Sequence, residues 1–526
     1  MEKPSIAHCK DLANFCLWII KTTRERKEDN TGYNKVKAQI MDISKIKTLG
    51  QLKKSGYKPK SIKEEIKDNL KKRIQSGDES YEGIIGFDDT VIPDLERALL
   101  SKHNILLLGL RGQAKTRIAR LTTNFLDDYI PYIAGSDLND DPLMPLSSSA
   151  LDILAEHGDD TPIEWLSAED RYIEKLATPD VSIADLVGDV DPIKAATLKL
   201  PYSDPRVIHY GLIPRAHRCI FVLNELPDLQ ARIQVALFNI LQEGDMQIRG
   251  FKLRLPLDIQ FLFTANPEDY TNRGSIITPL KDRIESQILT HYPQTIEISK
   301  QITAQEVNVD EGLRQSIHIP DLMKDLMEMI VFEARESELI DEKSGVSARL
   351  SISAMENLYS AVERRMLKNK EKKGVARISD LWAIIPSITG KVELVYEGEQ
   401  EGPYGVALAL ISQAVKKLFL EYFMHPDKAL KAEKDKYGTV RAWFASGNEV
   451  DILNDCDQKQ YEALLKSVAG VDKIIKNINV PKEEAFLYME FLLHGLSETE
   501  AISKRILDRS LNFSDPLGTM LDELNN

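Results

Sequence analysis

From Ser61 to Ile74 the apolar positions fall about four apart: Ile62, Ile66, Leu70 and Ile74, with lysine and glutamate on the other faces. That spacing predicts an amphipathic helix. Ser61 and Glu64 fit the S-x-x-E capping box that opens such a helix. Beyond residue 83 the pattern changes to short, solid apolar runs separated by helical stretches, as in a parallel sheet covered on both faces. The runs are Asn104–Leu108, Tyr129–Ala134, Cys219–Leu223, Ile259–Thr264 and Gln287–Thr290. Between Gly135 and Ile208 lies a long insertion, acidic near its start at Asp140, Asp141, Asp159 and Asp160. From residue 296 the helical period dominates, for example over Pro320–Arg335 and Ser351–Lys368, and no fixed repeat length emerges.

These patterns divide the chain into an N-terminal extension (1–40), a helical segment (41–82), an α/β domain (83–295), a helical lid (296–390) and a C-terminal helical domain (391–526). Met41 offers an internal start, so residues 1–40 read as detachable and foreign to the native protein. The length of 526 residues agrees with several domains. Lys and Arg number 68 against 82 Asp and Glu, a net charge of −14, which argues against a general DNA-coating protein. The charge is uneven: residues 1–82 carry a net of +7, leaving −21 for the rest. No apolar run reaches the roughly 18 residues of a membrane span. The four cysteines follow no metal or disulfide spacing, and a reducing cytoplasm is the expected setting.

The strongest chemical signal is Gly109-Leu110-Arg111-Gly112-Gln113-Ala114-Lys115-Thr116, set between an apolar strand and a helical pattern that opens at Arg117. This is the context of a Walker A loop, whose backbone N–H groups cradle phosphates. Lys115 would neutralise the β- and γ-phosphates of ATP, and the Thr116 hydroxyl would ligate Mg²⁺. Ala114 stands where the motif has its second glycine.

A second strand, Ile220-Phe221-Val222-Leu223, ends in Asn224-Glu225. P-loop ATPases end this strand in Asp-Glu. Glu225 can act as general base toward water. Asn224 can hold a magnesium-bound water through its amide oxygen, but without charge, so Mg²⁺ is held less tightly. A third strand ends at Asn266, placed to orient the lytic water. Arg283 follows Thr278–Asp282, and Arg349 precedes a helix. An arginine supplied by a neighbouring subunit stabilises the transferring phosphoryl group.

With these residues in order, the sequence resembles the AAA+ ATPases of the MoxR and magnesium-chelatase I-subunit branch over roughly residues 80–390. The resemblance implies an α/β P-loop core followed by an all-α lid and a C-terminal helical region. It marks Asn266 as sensor one, Asp282-Arg283 as the arginine-finger segment and Ser347-Ala348-Arg349 as sensor two. Ile84-Ile85-Gly86 stands where the branch packs backbone against adenine. Thr178–Asp191, Gly211–Ala216 and Lys391–Glu399 are also similar to branch sequences. The branch carries a β-hairpin after Walker B, and residues 244–256 alternate apolar and mostly basic positions about Gly250. Further implications are a homo-oligomeric ring, a hexamer in the branch, and a partner with a von Willebrand factor A-type domain.

The expectation is therefore a ring-forming ATPase that remodels a partner protein or matures its metal cofactor. Two other classes compete. An activator of the alternative sigma factor would carry a Gly-Ala-Phe-Thr-Gly-Ala loop and a basic recognition helix, and neither is present. No specific nucleic-acid contact is expected. A nucleotide-gated scaffold without hydrolysis is favoured by Asn224 and opposed by Glu225 and the arginines.

Overall fold

Helix α1 (Ile62–Ser76) starts at Ser61, whose side chain accepts from the Glu64 N–H, and stops at Gly77 in the left-handed region. The capping box is half made, because the Glu64 carboxylate turns to Lys102 at 2.9 Å instead. Ile62, Ile66 and Leu70 are buried, while Ile74 is 44% exposed. Glu65 takes the buried place that the spacing gave to Ile74: its carboxylate pairs with both terminal nitrogens of Arg171 at 2.6 and 2.7 Å. The computed structural model describes residues 45–201, 204–243, 255–267, 275–431, 435–478, 480–507 and 510–516. The expected extension 1–40 and residues 244–254 of the expected hairpin lie outside these.

The chain forms two compact units. The larger holds the described residues within 61–127, 168–190 and 211–516. Its centre is a five-stranded parallel sheet of β1 (Ile105–Leu108), β2 (Tyr172–Leu176), β3 (Cys219–Asn224), β4 (Ile259–Ala265) and β5 (Ser286–Leu289). The spatial order is β2-β3-β4-β1-β5. Register is set by Leu176 opposite Asn224, Phe221 opposite Phe261, Ile105 opposite Leu262 and Ile105 opposite Ser286. Every residue of β3 and β4 is buried, as central strands between two helical layers require.

Four strands lie within about a residue of the apolar runs, but the fifth does not. Tyr129–Ile133 pairs antiparallel with Ile163–Ser167 in the smaller unit. The strand at that edge of the sheet is β2, inside the expected insertion. Among the described residues it has a neighbouring strand on one side only, so its polar positions Glu174 and Lys175 are only partly buried and the apolar signal is lost.

In the larger unit the sheet is followed by α2 (Ile296–Glu306), α3 (Asp321–Glu336), α4 (Arg349–Asn369), α5 (Tyr396–Tyr422) and α6 (Ala485–Glu498). Helix α5 is broken at Gly402, with φ 78° and ψ 153°, just before Pro403. One hydrophobic core runs across the boundary expected at residue 390, joining Leu326, Ile330 and Leu358 to Leu410, Phe419, Phe491 and Leu492. The C-terminal region also carries a three-stranded antiparallel sheet, Val450–Leu453, Ser510–Ser514 and Ser503–Leu507 in spatial order.

The smaller unit comprises the described residues within 45–60, 128–167 and 191–210, so the helical segment expected at 41–82 divides after Lys60. Ile46, Leu52 and Ile163 form a small core beside Trp165, whose Nε1 donates to the Ile46 carbonyl at 3.1 Å. Asp140 is fully buried and accepts from the Leu146 N–H, the Ser147 N–H and the Ser147 hydroxyl. That acidic residue is a local structural clamp. Among the described residues no helix is long and apolar enough to cross a membrane.

Candidate functional site

The phosphate loop leaves β1 and is clamped from both sides. The Gly109 N–H donates to the Ala265 carbonyl at 3.2 Å, and the Thr290 N–H donates to the Leu108 carbonyl at 2.8 Å. Thr290 Oγ1 donates to Gln113 Oε1 at 2.7 Å. A Cβ at Gly109 would lie 2.0 Å from Thr290 Oγ1, so only glycine fits there. Gly112 has φ 74°, and a Cβ on it would lie 2.1 Å from Ser347 Oγ. Ala114 takes the left-handed conformation, φ 54° and ψ 15°. It thus keeps the backbone of the glycine it replaces, at a cost of roughly 1–2 kcal/mol.

Lys115 Nζ donates to Leu110 O at 2.8 Å, to Gly109 O, and to Asn266 Oδ1 at 2.8 Å. Glu225 is held at the end of β3 with φ 55° and ψ 48°, like Ala114 in the left-handed region. Its N–H donates to Thr264 Oγ1 at 3.2 Å, and Thr264 Oγ1 donates to Asn224 Oδ1 at 3.0 Å.

These residues surround one cavity of about 500 Å³. Its walls include Ile84, Ile85, Gly86, Arg111, Gly112, Gln113, Ala114, Lys115, Thr116, Arg117, Asn224, Glu225, Asn266 and Arg349. Gly109, the first residue of the loop, does not line it. Arg283 does not line the cavity. It follows the short helix Thr278–Asp282, pairs with Asp282 at 3.0 Å and lies 5.7 Å from the Phe238 ring centre.

The lid helices close one side. Ile302 and Ile352 line the cavity together with the Ile84–Gly86 segment. Gly86 has φ 82°, and a Cβ there would lie 2.6 Å from Ile298 of α2. Gln305 donates to the Gly83 carbonyl at 3.0 Å, and Arg117 pairs with Glu306. Burial opposes it, yet the hydrogen bonds from Gln305 and Arg117 hold the Glu306 carboxyl below its ordinary range. Arg111 pairs with Glu393 at 3.2 Å, and Glu393 also accepts from Ser344 Oγ at 2.6 Å. Tyr292 donates to the Arg111 carbonyl at 3.0 Å and lies under Arg335, 4.2 Å from its guanidinium.

Sequence reasoning missed Thr264, Thr290, Gln305, Glu306 and Glu393. Thr264 lies two residues before Asn266, the strand end already singled out. Glu393 lay in a stretch marked by resemblance alone. The others carry no local motif, because their partners are 100 residues or more away in the chain.

A parallel sheet of order β2-β3-β4-β1-β5, a phosphate loop after β1, an acidic end on β3, a polar end on β4 and a helical lid over the loop decide the architecture. The fold is that of the AAA+ ATPases. No protein-family model matches the chain. Among solved structures, the complex of subunits BchI and BchD of magnesium chelatase is 16% identical, covering 61% of this chain and 98% of that one, with a TM-score of 0.32. NtrX from Brucella abortus in complex with ADP is 12% identical over 76% of this chain and 73% of that one, with a TM-score of 0.36. Hsp104 with ATPγS and casein is 13% identical over 62% of this chain and 53% of that one, with a TM-score of 0.35. At these TM-scores the likeness adds nothing to the fold read from the chain's own strand order.

Proposed function

We propose that the chain hydrolyses ATP as a subunit of a homo-oligomeric ring, hexameric by analogy with its branch, and uses the energy to remodel a partner protein or mature its metal cofactor. The observation that carries the reading is the gathering of Lys115, Thr116, Glu225, Asn266 and Arg349 on one cavity, with Arg283 outside it.

The roles follow from chemistry. Backbone N–H groups of the Gly109–Thr116 loop and the Lys115 ammonium bind the phosphates. Ile84, Ile302 and Ile352 give an apolar slot for the base beside the Gly86 backbone. Glu225 accepts the proton that the attacking water releases. Asn266 orients that water through its amide, which requires Lys115 to turn from Oδ1 toward phosphate. Arg349 reaches the phosphates from the lid, and Arg283 belongs to the cavity of the next subunit, where it offsets charge on the transferring group.

Mg²⁺ fits this donor set only together with a nucleotide. Among the described residues no group of three His, Cys, Asp or Glu side chains could hold a metal ion. Thr116, Asn224 and Glu225 instead offer a hydroxyl, an amide and a carboxylate on the cavity wall. Mg²⁺ binds in this way, through few protein oxygens plus substrate phosphates and water. When bound it neutralises phosphate charge.

A von Willebrand factor A-type partner rests on the resemblance to the MoxR and chelatase branch, and a cytoplasmic setting accords with Cys219 and Cys456 being buried thiols. The test is binding of a fluorescent ATP analogue beside phosphate release, for wild type, Lys115→Ala and Glu225→Gln. The reading expects Lys115→Ala to lose binding and Glu225→Gln to bind without turnover. Turnover that survives in Glu225→Gln would sink it.

A further inference from the structure

Asn224 stands where P-loop ATPases place an aspartate, and its surroundings explain the exchange. Asn224 Nδ2 donates to Glu174 Oε1, and Asn224 Oδ1 accepts from Thr264 Oγ1 at 3.0 Å. A carboxylate can only accept, so it dictates which end of the amide faces it. Glu174 lies on β2, two residues before Leu176, which is the register partner of Asn224. Its other oxygen accepts from the Tyr172 hydroxyl at 3.1 Å and from Arg120 Nη2 at 3.1 Å. Arg120 is 69% exposed, so water screens that ion pair, whereas Asn224 is buried at the cavity wall.

An aspartate at 224 would set a second carboxylate against Glu174 at hydrogen-bond distance. Two like charges that close cannot both ionise at ordinary cost. The amide at 224 and the carboxylate at 174 therefore require each other. We infer that Glu174 is the displaced acid of this site: it carries the negative charge that position 224 lacks and, through the Asn224 amide, tunes the cavity for Mg²⁺-nucleotide. Glu174 does not line the cavity, so it is a positioning residue. The Thr264 hydroxyl completes the relay by joining the same amide to the backbone of Glu225. The inference rests on the nucleotide-binding reading of the cavity.

The test exchanges the two groups. Affinity for a fluorescent ADP analogue is titrated against Mg²⁺ for wild type, Glu174→Gln, Asn224→Asp and the double variant Glu174→Gln/Asn224→Asp. No turnover is needed. Removing a partner that orients a metal-site residue costs about 10-fold or more in metal affinity. Glu174→Gln should raise the Mg²⁺ concentration for half-maximal effect by about that factor. Asn224→Asp should lower the melting temperature, and the double variant should bring both quantities back toward wild type. A half-point for Glu174→Gln within about twofold of wild type, or a double variant no better than Asn224→Asp, overturns the inference. If Glu174→Gln does not fold, the double variant decides alone: wild-type Mg²⁺ dependence supports the inference and its loss refutes it. Wild type that binds no nucleotide at any Mg²⁺ concentration refutes the cavity reading itself, and this inference with it.

Discussion

Lys115 Nζ donates to Asn266 Oδ1 at 2.8 Å, tying the phosphate loop to the end of the neighbouring strand. Both residues are expected to act on the same phosphate group, one by charge and one through water. They should separate in a binding assay. A charged hydrogen bond is worth about 1.5–3 kcal/mol, or roughly 10- to 100-fold in affinity. Lys115→Ala should lose that much in equilibrium nucleotide binding. Asn266→Ala should keep affinity within about threefold and lose about 100-fold in turnover, as for other residues aimed at the reacting group.

Gly112 joins the loop to the lid. Its φ is 74°, and a methyl group added there would lie 2.1 Å from Ser347 Oγ, so alanine must push the Ser347-Ala348 backbone away. Gly112→Ala should therefore displace Arg349 and weaken nucleotide binding about 10-fold or more, since backbone strain of about 1–3 kcal/mol is added where the ligand sits. Gly158→Ala serves as control: it also has positive φ, but among the described residues nothing lies within 4 Å of the added methyl. It should leave nucleotide binding unchanged, as read by the same titration.

The buried pair of Glu65 and Arg171 bonds α1 to the turn before β2. Removing one partner of a buried pair costs about 3–5 kcal/mol, because the other charge is left without compensation. Glu65→Ala should lose that much in urea unfolding. Ile74→Ala, on the exposed end of the same helix, should change stability by less than about 0.5 kcal/mol. Equal effects would contradict the packing described for this helix.

This contrast also shows what the sequence could reveal. Three of the four predicted apolar positions on α1 are buried, but periodicity could not tell that Glu65 would be buried by finding Arg171 more than 100 residues on. The motifs around Lys115, Glu225 and Asn266 were legible because each sits within a few residues of an apolar strand end. Glu174 was not legible, since β2 is an edge strand with polar positions and its meaning comes only from pairing with β3. Tyr129–Ile133 misled for the opposite reason: a solid apolar run satisfies a two-stranded antiparallel pair as well as a parallel sheet.

His494 gives a pH prediction. Its imidazole is buried between Trp382 and Phe513, with Glu490 at 4.0 Å. Burial, and then the charge of Lys504, push its pKa well below the ordinary value. The folded state therefore keeps it neutral while the unfolded chain binds a proton below about pH 6.5. Stability from this group is present above that pH and is lost as pH falls toward the depressed folded value, at up to about 1.4 kcal/mol per pH unit. The neighbouring Glu490, raised by burial, titrates with the opposite sign, so the variant comparison matters. His494→Leu should remove the His494 contribution: the stability difference between wild type and variant, from urea unfolding at pH 7.5, 6.5 and 5.5, should shift toward the variant as pH falls. A pH-independent difference would contradict it.

The most direct measurement is Mg²⁺-dependent ATP hydrolysis against protein concentration, for wild type, Glu225→Gln, Arg283→Ala and an equal mixture of the two variants. Arg283 lies outside its own cavity, so specific activity of wild type should rise with concentration and vanish in each variant alone. In the mixture, an intact Arg283 from a Glu225→Gln subunit should reach an intact Glu225 in an Arg283→Ala subunit, and part of the activity should return. Activity that is flat with concentration, or Arg283→Ala turnover equal to wild type, would contradict a ring in which neighbouring subunits complete each other's sites.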